Sequence, residues 1–140
     1  MTIFTKIIDG ELPGNFVWAD ELCVAFATIE PVEPGHVLIV PREAIDKYSD
    51  LEPDLFAHIA KVAQIIGKAQ ERAFNVPRAI LSVLGFDVPH MHMHVIPAVE
   101  GTSKKFPAVK MVDAAELAEP MQKLRAALRE TGYAECVPAE

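Results

Sequence analysis

Between Pro89 and Pro97 three histidines alternate with apolar residues: His90-Met91-His92-Met93-His94-Val95. A β-strand sends successive side chains to opposite faces. The spacing therefore predicts one strand over 88–97, with His90, His92 and His94 in a row on one face and Met91, Met93 and Val95 turned to a core. A lone histidine in a strand is usually a packed structural residue. Three adjacent imidazoles would repel as cations and gain little as packing, so the row is read as chemistry. One possibility is metal binding. The row spans roughly 13 Å at about 3.3 Å per residue, whereas metal–nitrogen bonds are ~2.1 Å, so at most two of the three could share an ion. The other possibility is phosphate chemistry: a neutral imidazole attacks phosphorus while neighbouring rings donate hydrogen bonds to the phosphate oxygens. His36, just after Gly35 at the head of another apolar run, is a fourth candidate.

The surrounding chain must fold to present that row. With 51% hydrophobic and 24% charged residues in 140, it reads as one globular domain over 1–140. The net charge of −7 disfavours binding to a nucleic-acid backbone. A small anionic substrate stays possible if positive groups gather locally. Cys23 and Cys136 fit no ligand spacing and suggest a reducing compartment. No apolar leader or membrane-length run is seen, so a cytoplasmic location is expected.

Ile3, Phe4, Ile7 and Ile8 predict a short helix over 2–9. The runs 16–19 and 22–28 read as a hairpin, and 36–40 as a strand ending at Pro41. Pro53 and Asp54 open one long helix to Phe74, striped by Leu55, Ile59, Val62, Ile66 and Ala73. His58 lies beside that stripe and is taken as structural, with no partner in view. A strand over 78–84, the tight connection Gly85-Phe86-Asp87 and the histidine strand follow. A last helix over about 113–131, with Asp113 and Glu116 as a capping pair, is interrupted by Pro120. The class is α+β: five strands, mainly antiparallel, one long helix and a C-terminal helix.

Gly35-His36-Val37-Leu38-Ile39-Val40-Pro41 and the run from Val88 to Pro97 together resemble the histidine-triad (HIT) superfamily, Hint-like branch. Ile3 to Ile8 with Glu11-Leu12-Pro13, and Phe26 to Pro31, match as well, so the likeness covers about 2–97. It implies a HIT-like fold, a homodimer, and a hydrolase or nucleotidyl transferase acting at the α-phosphate of a purine nucleoside phosphoramidate or related nucleotide. No cofactor is implied. By motif position His92 is the nucleophile, His94 and His36 contact phosphate or assist the leaving group, and His90 orients its neighbours. Ile3, Phe4, Ile7, Phe26 and Ile29 would wall the base pocket, with Thr28, Gly85 and Val88 completing the nucleotide-binding set.

The chain also departs from that pattern. Thr28 stands where relatives carry a ribose-binding Asp, and Gly85-Phe86 where Gly-Gln is common. Some bacterial relatives hold structural zinc at positions that here are Thr2, Thr5, Ala44 and His90; one histidine cannot hold the ion, so no metal is expected. Two other readings stay open. One is a nucleotide-binding protein without turnover, which Thr28 and Phe86 would suit. The other is a histidine-ligated metal hydrolase, against which the long helix argues.

Overall fold

The computed structural model describes residues 1–107 and 110–140. Among these residues five strands form one sheet: β1 (Phe16–Ala19), β2 (Cys23–Ala27), β3 (Val37–Pro41), β4 (Arg78–Ser82) and β5 (Met93–Ala98). Their order is β1-β2-β3-β5-β4, and every neighbouring pair is antiparallel. Helices α1 (Ile3–Ile8), α2 (Pro53–Phe74) and α3 (Ala114–Glu130) complete the α+β fold. No helix among the described residues is long and apolar enough to cross a membrane.

The alternation of β-strand side chains gives the sheet two apolar faces. On one, Cys23, Ala25, Val37, Ile39, Met93 and Val95 pack under α2 and α3. α2 contributes Leu55, Ile59, Val62 and Ile66, the stripe read from the sequence, and stops where Asn75 turns left-handed at φ 51°. On the other face Val24, Phe26, Leu38 and Val40 pack against Phe4 of α1. Thr2 starts α1: its hydroxyl accepts from the Thr5 N–H, and the Thr5 hydroxyl accepts from the Thr2 N–H in return. Such a reciprocal cap satisfies two otherwise orphaned donors.

Three local expectations are corrected. The histidine strand is shorter than 88–97: β5 begins at Met93, and His90 and His92 lie on the approach to it. Val88 to His90 bends where the chain crosses from the β4 connection, and the His90 N–H turns back to the Val88 carbonyl at 2.8 Å. The two-residue alternation nonetheless persists, since Met91 and Met93 join the α2 side of the core. Asp113 does precede α3, but its side chain caps nothing there. Pro120 sits inside α3 without ending it, within its first two turns.

Candidate functional site

The register of the sheet aims the histidines. Leu38 pairs with His94 across β3 and β5, and Phe26 pairs with Leu38 across β2 and β3. Directly opposed residues share a face, so His94 emerges beside Phe26 and Leu38, beneath α1. The row was expected to line a surface outside the core. Instead His90 and His92 are 0% and 1% exposed and His94 is partly buried, with His36 beside it at 2%. Phe4 covers His90 and His92, its ring meeting His92 edge-on at 4.9 Å and His90 at 5.8 Å.

Buried imidazoles need partners for both nitrogens, and those partners fix where each proton sits. The Val32 N–H donates to His36 Nδ1 at 3.0 Å, so neutral His36 carries its proton on Nε2. That proton is donated to His94 Nδ1 at 2.9 Å, which leaves His94 with its N–H on Nε2, free to donate outward. His92 Nδ1 donates to the His90 carbonyl at 2.8 Å, and its lone pair is left on Nε2. His90 Nε2 donates to the Pro41 carbonyl at 2.7 Å and its Nδ1 accepts from the Thr2 hydroxyl at 2.7 Å. The site thus juxtaposes a bare ring nitrogen on His92 with an N–H donor on His94, the two ring centres being 5.3 Å apart. That pairing is what attack on an oxyanion-bearing centre needs. His36 spends both nitrogens within the protein, so it bears on a ligand through His94.

Three residues outside the sequence reading support this arrangement. Gln70 of α2 is fully buried and donates to the carbonyls of Gly35 (3.0 Å) and Val95 (2.9 Å), the neighbours of His36 and His94. A polar residue between Ile66 and Ala73 of an apolar stripe was the available signal. Phe106 stands edge-on to His94 at 4.8 Å and closes that end of the row. The turn before it is anchored because Thr102 and Lys105 both bond Glu33, at 2.7 and 3.3 Å. Asp87 is the third: its carboxylate lies 3.6 Å from His92 Nε2, with a side chain 74% exposed. Its place before the row gave no hint of this contact.

Of the other residues named from the sequence, Phe4 and Phe26 are buried and meet edge-on at 5.6 Å. Ile7 and Val88 pack partly buried against them. Ile3 and Ile29 are half-exposed, as a cleft wall would be. The Thr28 hydroxyl accepts from the Glu30 N–H at 3.2 Å, and Gly85 takes a positive φ of 83°. Phe86 is fully exposed and forms no part of the site. Zinc does not fit the N-terminal positions. Thr2 and Thr5 hydroxyls bond each other at 3.1 Å, Thr2 takes His90 Nδ1, and Ala44 offers no donor.

Burial makes the row acid-sensitive. It pushes His36 down to about 3, with the neighbouring His94 adding to the effect. Burial likewise holds His94 down to about 4, helped by His92 and opposed by Asp87. The ordinary value is 6.5. Below it the unfolded chain takes up protons that the folded chain refuses. Stability is therefore full above the ordinary value and falls as pH drops toward the folded values of about 4 and 3. Urea midpoints should decline between roughly pH 6.5 and pH 4, and His36→Asn should flatten that decline. An equally steep decline in His36→Asn would show that another group carries it.

Comparison with known proteins identifies the family. A family model described as the HIT domain matches residues 9–101. An uncharacterised HIT-like protein of Methanocaldococcus jannaschii is 34% identical over 123 residues, covering 84% of this chain and 95% of that protein. The asymmetrical bis(5'-nucleosyl)-tetraphosphatase of Schizosaccharomyces pombe is 36% identical over 86 residues, 55% of this chain and 45% of that one. The crystal structure of a HIT-like protein from Bartonella henselae, described as involved in cell-cycle regulation, superposes with a TM-score of 0.80 at 30% identity. It covers 90% of this chain and 95% of that one. By its histidine row, its fold and these matches, the chain belongs to the HIT family.

Proposed function

We propose that this protein is a hydrolase acting at the α-phosphate of a purine nucleoside phosphoramidate or related nucleotide, through a nucleotidyl-His92 intermediate. The observation that carries this reading is the fixed proton pattern, a lone pair on His92 Nε2 beside the N–H of His94 Nε2. In the first step Nε2 forms a bond to phosphorus, the bond to the leaving amine breaks, and the amine takes up a proton from solvent. In the second, water attacks phosphorus, gives up a proton to solvent and breaks the His92–phosphorus bond, which returns the lone pair to Nε2. The released products are the nucleoside monophosphate and the amine. His94 donates to the non-bridging oxygens in both steps, and Phe4, Phe26 and Ile7 receive the base. The nucleotide hydrolase from Schizosaccharomyces pombe among the relatives supports the reaction class. Rapid quench with a panel of adenosine phosphoramidates and phosphate esters tests it. Label should appear on His92. Tight nucleotide binding with no turnover on any member would leave a binding protein instead.

Asp87 bears on the leaving group. A carboxylate 3.6 Å from the attacking nitrogen repels an anionic polyphosphate and tolerates or attracts an amine. Because Asp87 is exposed and screened, the preference is modest. Asp87→Asn should raise kcat/KM for a dinucleoside polyphosphate relative to a phosphoramidate by about three- to tenfold at low salt, and less at high salt. An unchanged ratio would remove Asp87 from selectivity.

We also infer a homodimer. β4 is an edge strand of the sheet, and Leu81, Leu84 and Phe86 on and after it are 53%, 49% and 100% exposed. Proteins tend to cover such edges. Light scattering should give about twice the 15.4 kDa of one chain, and a mass of a single chain at micromolar protein would refute it.

A further inference from the structure

His58, read from the sequence as a partnerless structural residue, meets Asp20 of the turn between β1 and β2, beside Cys23 at the start of β2. Its Nε2 lies 2.7 Å from Asp20 Oδ2, and Cys23 Sγ lies 3.7 Å from the same oxygen. The three donor atoms all fall within 4.8 Å of one another. Thiolate, imidazole and carboxylate together form the donor set of a borderline-soft divalent ion. We propose that Asp20, Cys23 and His58 form a binding site for a zinc-type transition-metal ion, ligated through Oδ2, Sγ and Nε2. This departs from the metal-free expectation drawn from the sequence, and it is independent of the chemistry assigned to the histidine row.

Two of the three donor separations suit an ion with little movement. Tetrahedral bonds of about 2.0 Å to oxygen and nitrogen and about 2.3 Å to sulfur set donors roughly 3.3–3.5 Å apart. The Asp20–Cys23 separation of 3.7 Å is already close to that. The Asp20–His58 pair, at 2.7 Å, must open by roughly 0.6 Å when the ion replaces the hydrogen between them. Asp20 is prepared for the role, because its Oδ1 accepts the N–H groups of Leu22 (2.8 Å) and Cys23 (2.9 Å) and Oδ2 is left as the ligand atom. In the absence of an ion that single oxygen faces three donors: the Trp18 indole at 2.8 Å, His58 and the Cys23 thiol. A metal would take over two of them and keep the indole as an outer hydrogen bond that orients the carboxylate.

The surroundings allow access. The side chains of Asp20 and His58 are 17% and 30% exposed, while Cys23 is fully buried. An ion from solvent meets the carboxylate and imidazole first and the sulfur last. Arg42 Nε donates to the Asp20 carbonyl at 2.8 Å and fixes the turn from its other side. Its guanidinium also favours the thiolate, against the burial and the Asp20 carboxylate that together hold the Cys23 thiol protonated. Water is the fourth ligand. On binding, the Cys23 proton leaves to solvent, and His58 carries its hydrogen on Nδ1 so that Nε2 presents its lone pair. The bound ion would tie the β1–β2 turn to α2.

Cobalt(II) titration of the full chain tests the site. One equivalent should bring up a near-ultraviolet thiolate-to-cobalt charge-transfer band with four-coordinate visible bands. Cobalt held only by the histidine row would show no sulfur band, so the two sites are told apart. The band should vanish in Cys23→Ser and persist in Cys136→Ser. In parallel, zinc should raise the melting temperature of the wild type and leave His58→Gln unmoved. That second variant changes a part-exposed helix residue and keeps the test decisive even if Cys23→Ser folds poorly. Absence of the band, its survival in Cys23→Ser, or an equal zinc shift in His58→Gln would overturn the site.

Discussion

Replacing His92 with Ala should abolish the covalent route and lower kcat/KM by more than the ~10²–10⁴ typical of losing one acid–base group. The reason lies in what remains. His94 still offers its N–H, and Phe4 and Phe26 are still in place, but no other ring in the row has a bare nitrogen. His90 uses both nitrogens on Thr2 and Pro41, and His36 uses both on Val32 and His94. Direct attack by water is then the only path left. Nucleotide affinity should change little, because the donors and the apolar wall survive, so isothermal titration with AMP separates binding from chemistry. His90→Ala should cost less than His92→Ala, since it loosens the carbonyl that receives His92 Nδ1 without removing the nucleophile. Near-normal turnover in His92→Ala, or label trapped on another residue, would overturn the assignment.

The largest effect on folding is expected at Gly35. Its φ is +95°, and a Cβ built there would fall 2.3 Å from a ring carbon of Phe74. Gly35→Ala therefore meets two penalties. Left-handed backbone strain costs about 1–3 kcal/mol, and overpacking against the aromatic ring costs about 1–3 kcal/mol more. Against a total stability of about 5–15 kcal/mol, the sum lowers the melting temperature by roughly 10 °C in a chain of this size. Activity should fall further than stability explains, since the Gly35 carbonyl is one of the two that Gln70 holds beside the histidines. A double-mutant cycle with Phe74→Leu divides the two penalties. The smaller side chain should relieve the overlap and leave the strain. If Gly35→Ala melts with the wild type, the close approach to Phe74 is not a constraint in solution.

Much of this architecture was legible because it is periodic. The α2 stripe and its stop, the hairpin, and the two-residue alternation of Met91, Met93 and Val95 against the histidines all follow from one-dimensional spacing. The strand break before Met93 was not legible, because it depends on how Val88 to His90 crosses from β4. The contacts that arm the site were less visible still. Gln70 reaches the carbonyls beside His36 and His94, and Phe106 reaches His94, only through tertiary packing, while Asp87 lies five positions from His92 but meets it through the bend at Val88 to His90. The Asp20–Cys23–His58 cluster is similar: two members are three residues apart, but the third arrives from α2, 35 positions beyond Cys23. Burial of the histidines was misjudged for a related reason. The apolar face that covers them comes from α1, a six-residue helix whose docking nothing in the triad announces.

Three of the groups that set the protons of the row are main-chain groups: the Val32 N–H and the carbonyls of His90 and Pro41. Main-chain dipoles do not change when a side chain is substituted. Side chains around the row are thus free to vary while the acid–base phase of the imidazoles stays in place. Selectivity and reactivity are wired to different parts of the polypeptide. A protein built this way can change the residues around the row one at a time, without passing through a sequence in which His92 carries its proton on the wrong nitrogen.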